Sequence, residues 1–174
     1  MPDPFVLRDW QSFYLLAGTA SATLIGLMFV AISFGARLVP TQSESSVRAF
    51  VTPTVIHFSA VLVLSIFALI PTFSNEGWAI GLALLGAAGL AYGLGVIRQM
   101  LLHRGQGQPL DAGHWIWHML LPMAGYVLIF VAGLGPFLGW PRLPNAPAFA
   151  AIALIVTVLR NAFDLMMWIA HQSP

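Results

Sequence analysis

Polar and ionisable side chains interrupt an apolar stretch near the C-terminus, in the segment VLRNAFDLMMW. On a helix with 100° per residue, the polar residues of this segment and its flanks cover about a quarter of the circumference. These residues are Thr157, Arg160, Asn161, Asp164 and His171. Arg160 and Asp164 are four residues apart, a spacing at which opposite charges pair along a helix. Because a charge within a bilayer is costly, we expect this face to point into a helix bundle or a wet cavity.

Two other residues could complete an intramembrane polar cluster around Arg160. His57 is predicted to lie about as deep as Arg160, and Ser33 lies nearer the same side of the membrane. The cluster could be a structural clasp that fixes the fifth helix against the first and second. Alternatively, it could line a half-channel or cavity for protons, an anion or a small solute. His57 would then titrate, with Asp164 as its partner.

Histidine ligation of haem, a chlorophyll-type pigment or a metal is a third hypothesis. His114 and His118 share a helix face in HWIWH, and His57 is a further candidate. The motif lacks the acidic residue of HExxH. The simpler interpretation is a pair of interfacial histidines beside two tryptophans, and we expect no metal and no cofactor.

The composition decides which solvent surrounds these residues. Of 174 residues, 59% are hydrophobic and only 7% are charged, whereas a soluble domain is about a quarter charged. Lipid must therefore surround most of the chain. The net charge of +1 argues against a nucleic-acid partner, and the absence of cysteine excludes disulfides and thiolate sites.

Five apolar runs are long enough to cross a bilayer as helices. They cover about 13–37, 50–73, 78–102, 115–138 and 148–170. Their continuity differs from the alternating pattern of barrel strands. The sequence therefore predicts an all-α integral membrane bundle of five transmembrane helices in a single domain, residues 1–174.

The arginines indicate an orientation, because cytoplasmic loops carry an excess of positive charge. Arg8 and Arg142 lie on one side. The opposite side has Arg37, Arg48, Arg98 and Arg104. We therefore expect the N-terminus outside and the C-terminus in the cytoplasm.

Small residues that permit close helix contact recur at spacing four. They are Gly18, Ala22 and Gly26 in the first span and Gly89 and Gly93 in the third. They could serve packing within one chain, or contact with a second copy or another subunit.

Two strings resemble the first and last helices of small polytopic bacterial membrane proteins of unknown function. They are GTASATLIGLMFVAISF and RNAFDLMMW. Some members of that group are labelled modulators of a membrane-anchored AAA protease. The resemblance implies a bacterial inner-membrane protein and supplies no catalytic residues.

The sequence shows no Gly-rich phosphate loop, no GxSxG motif and no paired carboxylates within a span. We therefore expect a non-enzymatic multi-pass protein of the bacterial cytoplasmic membrane. Its expected role is an accessory or scaffold subunit of a membrane assembly, or a homo-oligomer. The alternative is a small channel or transporter that uses the Arg160, Asp164 and His57 layer.

Overall fold

The computed structural model describes residues 9–35, 44–72, 74–102, 116–140, 143 and 145–172. They form the helices α1 (Gln11–Gly35), α2 (Glu44–Leu69), α3 (Asn75–Leu102), α4 (Leu121–Leu134) and α5 (Ala146–Gln172). A π-helical turn, Ile116–Leu120, leads into α4, and a 3₁₀ turn, Gly135–Leu138, continues it. No strand occurs among these residues.

Five of the described helices are long and apolar enough to cross a membrane, which confirms the predicted number of spans. The qualifying stretches are Gln11–Ser33, Val51–Leu69, Asn75–Gln99, Leu121–Leu138 and Ala146–Asp164. Large apolar side chains such as Leu16, Phe29 and Leu84 are exposed on the outer surface. Such a surface is compatible with lipid. The chain is a multi-pass, all-helical membrane protein.

Helices α2 to α5 form a closed arrangement. In it α3 packs on α4, α4 on α5, α5 on α2, and α2 on α3. Helix α1 lies outside this ring and packs mainly on α2, with a smaller contact to α5. The core between the helices is built from small and aliphatic residues together with Tyr14 and Tyr126. Tyr126 therefore lies in the interior of the bundle.

Helix α3 begins at a side-chain cap. The backbone N–H of Gly77 donates to Ser74 Oγ at 3.0 Å, which satisfies one of the donors left free at a helix start. Glu76 lies in the first turn, where its charge complements the helix dipole. The cap fixes the hairpin between α2 and α3 at the end opposite the polar residues discussed below.

Glycines bring α3 and α4 into close contact. A Cβ added at Gly86 would lie 2.6 Å from the backbone nitrogen of Phe130, and one at Gly133 would meet the backbone of Ala83. Gly18 of α1 is similarly close to α2, since a Cβ there would lie 2.8 Å from Ser65 Cβ. Without a hydrophobic drive between helices in lipid, such contact supplies much of the packing energy.

The two stripes of small residues predicted from the sequence face different surroundings. Gly89 and Gly93 lie against α4 within the same chain, beneath Tyr126 and Met123 respectively. In α1, Gly18 packs on α2, but Ala22 and Gly26 are exposed and nothing lies within 4 Å of a Cβ added at Gly26. Most of the predicted α1 stripe therefore faces away from the bundle.

Candidate functional site

A buried histidine–tyrosine pair joins α2 to α4. His57 Nδ1 lies 2.8 Å from Tyr126 Oη, and the two residues are 69 positions apart in the chain. His57 is only 4% exposed and Tyr126 only 1%. The proton of this bond belongs either to the tyrosine hydroxyl or to Nδ1, depending on the imidazole tautomer. Each group is the hydrogen-bond partner of the other in an interior that contains few polar side chains.

A second tyrosine completes the surroundings of His57. The ring of Tyr92 in α3 lies edge-on to the imidazole, with centroids 6.2 Å apart and planes at 81°. The ring of Tyr126 is tilted by 47° at 5.6 Å. The chain has only three tyrosines, and two of them meet at this histidine. His57 is thus held by side chains from two other helices.

Gly89 creates the space that Tyr126 occupies. A Cβ at position 89 would overlap the Tyr126 ring, so any larger residue in α3 would displace that ring from α4. The hydroxyl of Tyr126 would then move relative to His57. The sequence feature that looked like a helix-packing motif therefore also positions the polar pair.

A small cavity adjoins the pair between α2, α3 and the start of α4. Its volume is about 40 Å³. It is lined by Pro53, His57, Tyr92, Gly93, Val96, Met119, Pro122, Met123 and Tyr126. Since a water molecule needs roughly 10–15 Å³ of such space, two or three waters or one ion would fill it. It is much smaller than the roughly 300–1,000 Å³ sites that hold drug-sized ligands, so it does not admit a haem or pigment macrocycle. We call it the His57 cavity.

Two prolines shape the walls of the His57 cavity. Pro53 lies inside α2, and Pro122 is the second residue of α4, after the π-helical turn that ends at Leu120. Proline has no N–H to donate to the preceding turn, and wider helical turns accommodate its ring. The backbone irregularity at the start of α4 therefore adjoins the cavity that His57 lines.

Arg160 does not join this site, contrary to the expectation that it faces into the bundle. Its side chain is 51% exposed, and its Nε lies 3.8 Å from Asp164 Oδ2. Its guanidinium carbon is 5.2 Å from the ring centroid of Trp117, in the π turn before α4. The expected pairing of Arg160 with Asp164 along α5 is present. Through the contact of Arg160 with Trp117, the pair clasps α5 to the segment that leads into α4.

The polar residues on the buried face of α5 are Asn161 and Thr157, and not the charged Arg160 and Asp164. Thr157 is fully buried, and its hydroxyl donates to the Ala153 carbonyl at 2.9 Å within the same helix. Asn161 is 2% exposed, and its Oδ1 has no hydrogen-bond partner in the structure. Ser33 also differs from the expected cluster, because it is exposed and donates to the Phe29 carbonyl at 2.7 Å.

The remaining predicted ligands cannot be placed. His114 lies outside the described residues, and so does the side chain of His118. Within the described part of the chain, no group of three or more His, Cys, Asp or Glu side chains could hold a metal ion. The predicted site residues did not include Tyr92, Tyr126, Met119 or Met123, although a tyrosine hydroxyl within a span signals a polar partner.

Comparison with known proteins adds no further assignment. No family model matches the chain, and neither a curated protein nor a solved structure is similar to it. The resemblance of its first and last helices to small bacterial membrane proteins therefore stays a prediction.

Proposed function

We propose that this protein is a non-enzymatic subunit of a bacterial cytoplasmic-membrane assembly, acting as an accessory or scaffold component or as a homo-oligomer. The observation that carries the proposal is the outward position of the Arg160–Asp164 pair. Both residues lie in the last turn of the apolar stretch Ala146–Asp164, in a helix that continues to Gln172, and their side chains are 51% and 34% exposed. Contact with lipid is unfavourable for charged groups, even when they are paired.

A neighbouring helix over this face would remove the charges from lipid and could offer further hydrogen bonds. The apolar residues beside the pair, Leu159 and Phe163, are also exposed and would form the rest of that contact. On α1, the exposed Ala22 and Gly26 offer a second surface where a helix backbone could approach closely. Lateral association in the membrane therefore fits the outer surface of the bundle.

The natural absence of cysteine makes a direct test possible. Phe163→Cys places one thiol beside the charge pair, on a side chain that is 63% exposed. Leu84→Cys is the matched control, since Leu84 of α3 is 66% exposed but far from α5 in the ring of helices. In native membranes, a thiol-specific photo-crosslinker should give a discrete higher-mass product from Phe163→Cys.

Mass spectrometry of that product would show whether it contains a second copy or another protein. The Leu84→Cys control should give lipid adducts and monomer. If both variants give only monomer and lipid adducts, and the native particle in lipid nanodiscs has the mass of one chain, the subunit proposal is wrong.

A second candidate function is favoured by the His57 cavity. A cavity that can hold water next to a buried imidazole could belong to a path for protons or a small solute. Arg160 would have no part in such a path, because it lies on the outer surface. In liposomes, His57→Ala should then abolish a pH-dependent flux that Arg160→Leu leaves intact. Absence of any flux through the wild-type protein would exclude this function.

A further inference from the structure

Two methionines share the His57 cavity with the histidine. Met119 is buried and Met123 is half-buried, and both lie on the segment that enters α4. Gly93 provides the room for one of them, since a Cβ there would overlap the Met123 sulfur. Methionine is not rare in this chain, which has seven, but these two line the same cavity as the buried imidazole. The cavity therefore combines one imidazole with two thioethers.

This combination of donors is chemically selective. Thioether sulfur is a soft, neutral ligand that suits Cu(I), and imidazole also binds copper. We propose that the His57 cavity binds one Cu(I) ion through His57 and the sulfur atoms of Met119 and Met123. The proposal goes beyond the subunit function and does not depend on it.

The spacing of the two methionines supports convergence on one ion. Both side chains line the same cavity, and the two residues are four positions apart where the π-helical turn passes into α4. The unbranched methionine side chain has three rotatable bonds, so both sulfurs can turn towards a common point. Met119 lies in the π-helical turn Ile116–Leu120, and π turns are frequent at functional sites. His57 lines the same cavity from α2.

The hydrogen bond of His57 also fits metal ligation. If Nδ1–H donates to Tyr126 Oη, the lone pair for a metal is on Nε2. Ligating histidines usually bond through their second nitrogen to a protein acceptor, which fixes the tautomer and the ring orientation. Tyr126 would therefore be a positioning residue, and Nε2 of His57 would be the ligand.

The charge and size of the cavity argue for a monovalent soft ion over other metals. None of its lining residues is a carboxylate, so hard divalent cations such as Mg²⁺ or Ca²⁺ would lack their preferred oxygen ligands. A single positive charge is also less costly to bury than a double one when every ligand is neutral. A volume of about 40 Å³ accommodates an ion but not a cofactor ring.

The test is Cu(I) binding by the purified full-length protein in detergent, with oxygen excluded and a chromophoric Cu(I) chelator as competitor. We expect one Cu(I) per chain. Met119→Leu and Met123→Leu should each weaken the affinity at least tenfold, and the double variant should not retain the ion. Leucine replaces methionine at similar volume, so these variants should fold. Met28→Leu in α1, away from the cavity, is the matched control and should bind as the wild type does.

Two further measurements make the result decisive. X-ray absorption should show sulfur and nitrogen neighbours around the bound copper. Cu(I) should raise the Tm of the wild-type protein but not that of the double variant, because only a ligand of the folded state stabilises it. The proposal is overturned if the wild type retains no Cu(I), if the double variant binds as tightly as the wild type, or if Zn²⁺ binds equally well. None of these outcomes bears on the crosslinking test of subunit association.

Discussion

His57 of α2 and Tyr126 of α4 are joined by a buried hydrogen bond with an Nδ1–Oη distance of 2.8 Å. The bond links two helices that are separated by α3 in the chain, and its tyrosine ring lies over Gly89 of that intervening helix. The packing of α3 on α4, the buried hydrogen bond and the shape of the His57 cavity therefore depend on the same few residues. Substitutions at these positions should change the stability of the protein more than substitutions at neighbouring sites.

Removing the tyrosine hydroxyl should destabilise the protein. Tyr126→Phe keeps the ring over Gly89 but leaves His57 Nδ1 without its partner, which costs about 1–3 kcal/mol for a buried group. Thermal unfolding in detergent, followed by circular dichroism, measures the loss. Tyr92→Phe is the control, because the ring facing His57 is retained, and it should have the smaller effect.

The same bond can be examined with a double-mutant cycle. If the interaction is direct, His57→Leu combined with Tyr126→Phe should destabilise less than the sum of the single variants. Additive effects would show that the two residues contribute independently.

Gly89→Ala should destabilise the α3–α4 contact. The added methyl group would overlap the Tyr126 ring, and overpacking of this kind costs about 1–3 kcal/mol. Gly95→Ala is a matched control on the same helix, because nothing lies within 4 Å of a Cβ there. Alanine has the higher helix propensity, so the control should be neutral or slightly stabilising. Equal Tm values for the two variants would contradict the observed packing.

Arg160 and Asp164 should show coupled effects on stability. Arg160→Leu leaves the Asp164 carboxylate at membrane depth without the neighbouring guanidinium, whereas the Arg160→Leu, Asp164→Leu double variant removes both charges. We therefore expect the single variant to unfold at a lower temperature than the double variant. A double variant that is as unstable as the sum of both single changes would show that the pair does not interact.

Trp117 offers a separate measure of the α5–α4 clasp. Its ring lies 5.2 Å below the Arg160 guanidinium carbon, a distance at which a cation–π contact is favourable. Trp117→Leu should lower Tm in the wild-type background and have less effect in the Arg160→Leu background. An equal decrease of Tm in both backgrounds would show that Trp117 contributes to stability through packing alone.

The predicted orientation can be tested because the chain lacks cysteine. Single cysteines at Asp9 and at Gln172 lie at opposite ends of the five-span bundle. The arginine distribution predicts that a membrane-impermeant thiol reagent labels Asp9→Cys, but not Gln172→Cys, in intact cells. Labelling of both should occur after permeabilisation. The reverse pattern in intact cells would invert the orientation and place the His57 cavity near the outer side.

The sequence alone determined the number and approximate limits of the spans. Continuous apolar runs of about 20 residues with few charges cross lipid as helices, because a helix satisfies its backbone groups within the segment and the runs lack the alternation of barrel strands. Hairpin and cap residues such as Ser74 then set where α3 begins. The pairing of Arg160 with Asp164 also followed from sequence, since it depends only on a spacing of four along one helix.

Only the tertiary structure decided which way each polar side chain faces. A helix in lipid is apolar on its outer side as well as its inner side, so hydrophobic periodicity does not identify the buried face as it does in water. Arg160 consequently lies outside, while Asn161, one position further, lies inside. The meeting of His57 with Tyr126 depends on contacts between residues 69 positions apart, and it required the close approach that Gly89 permits.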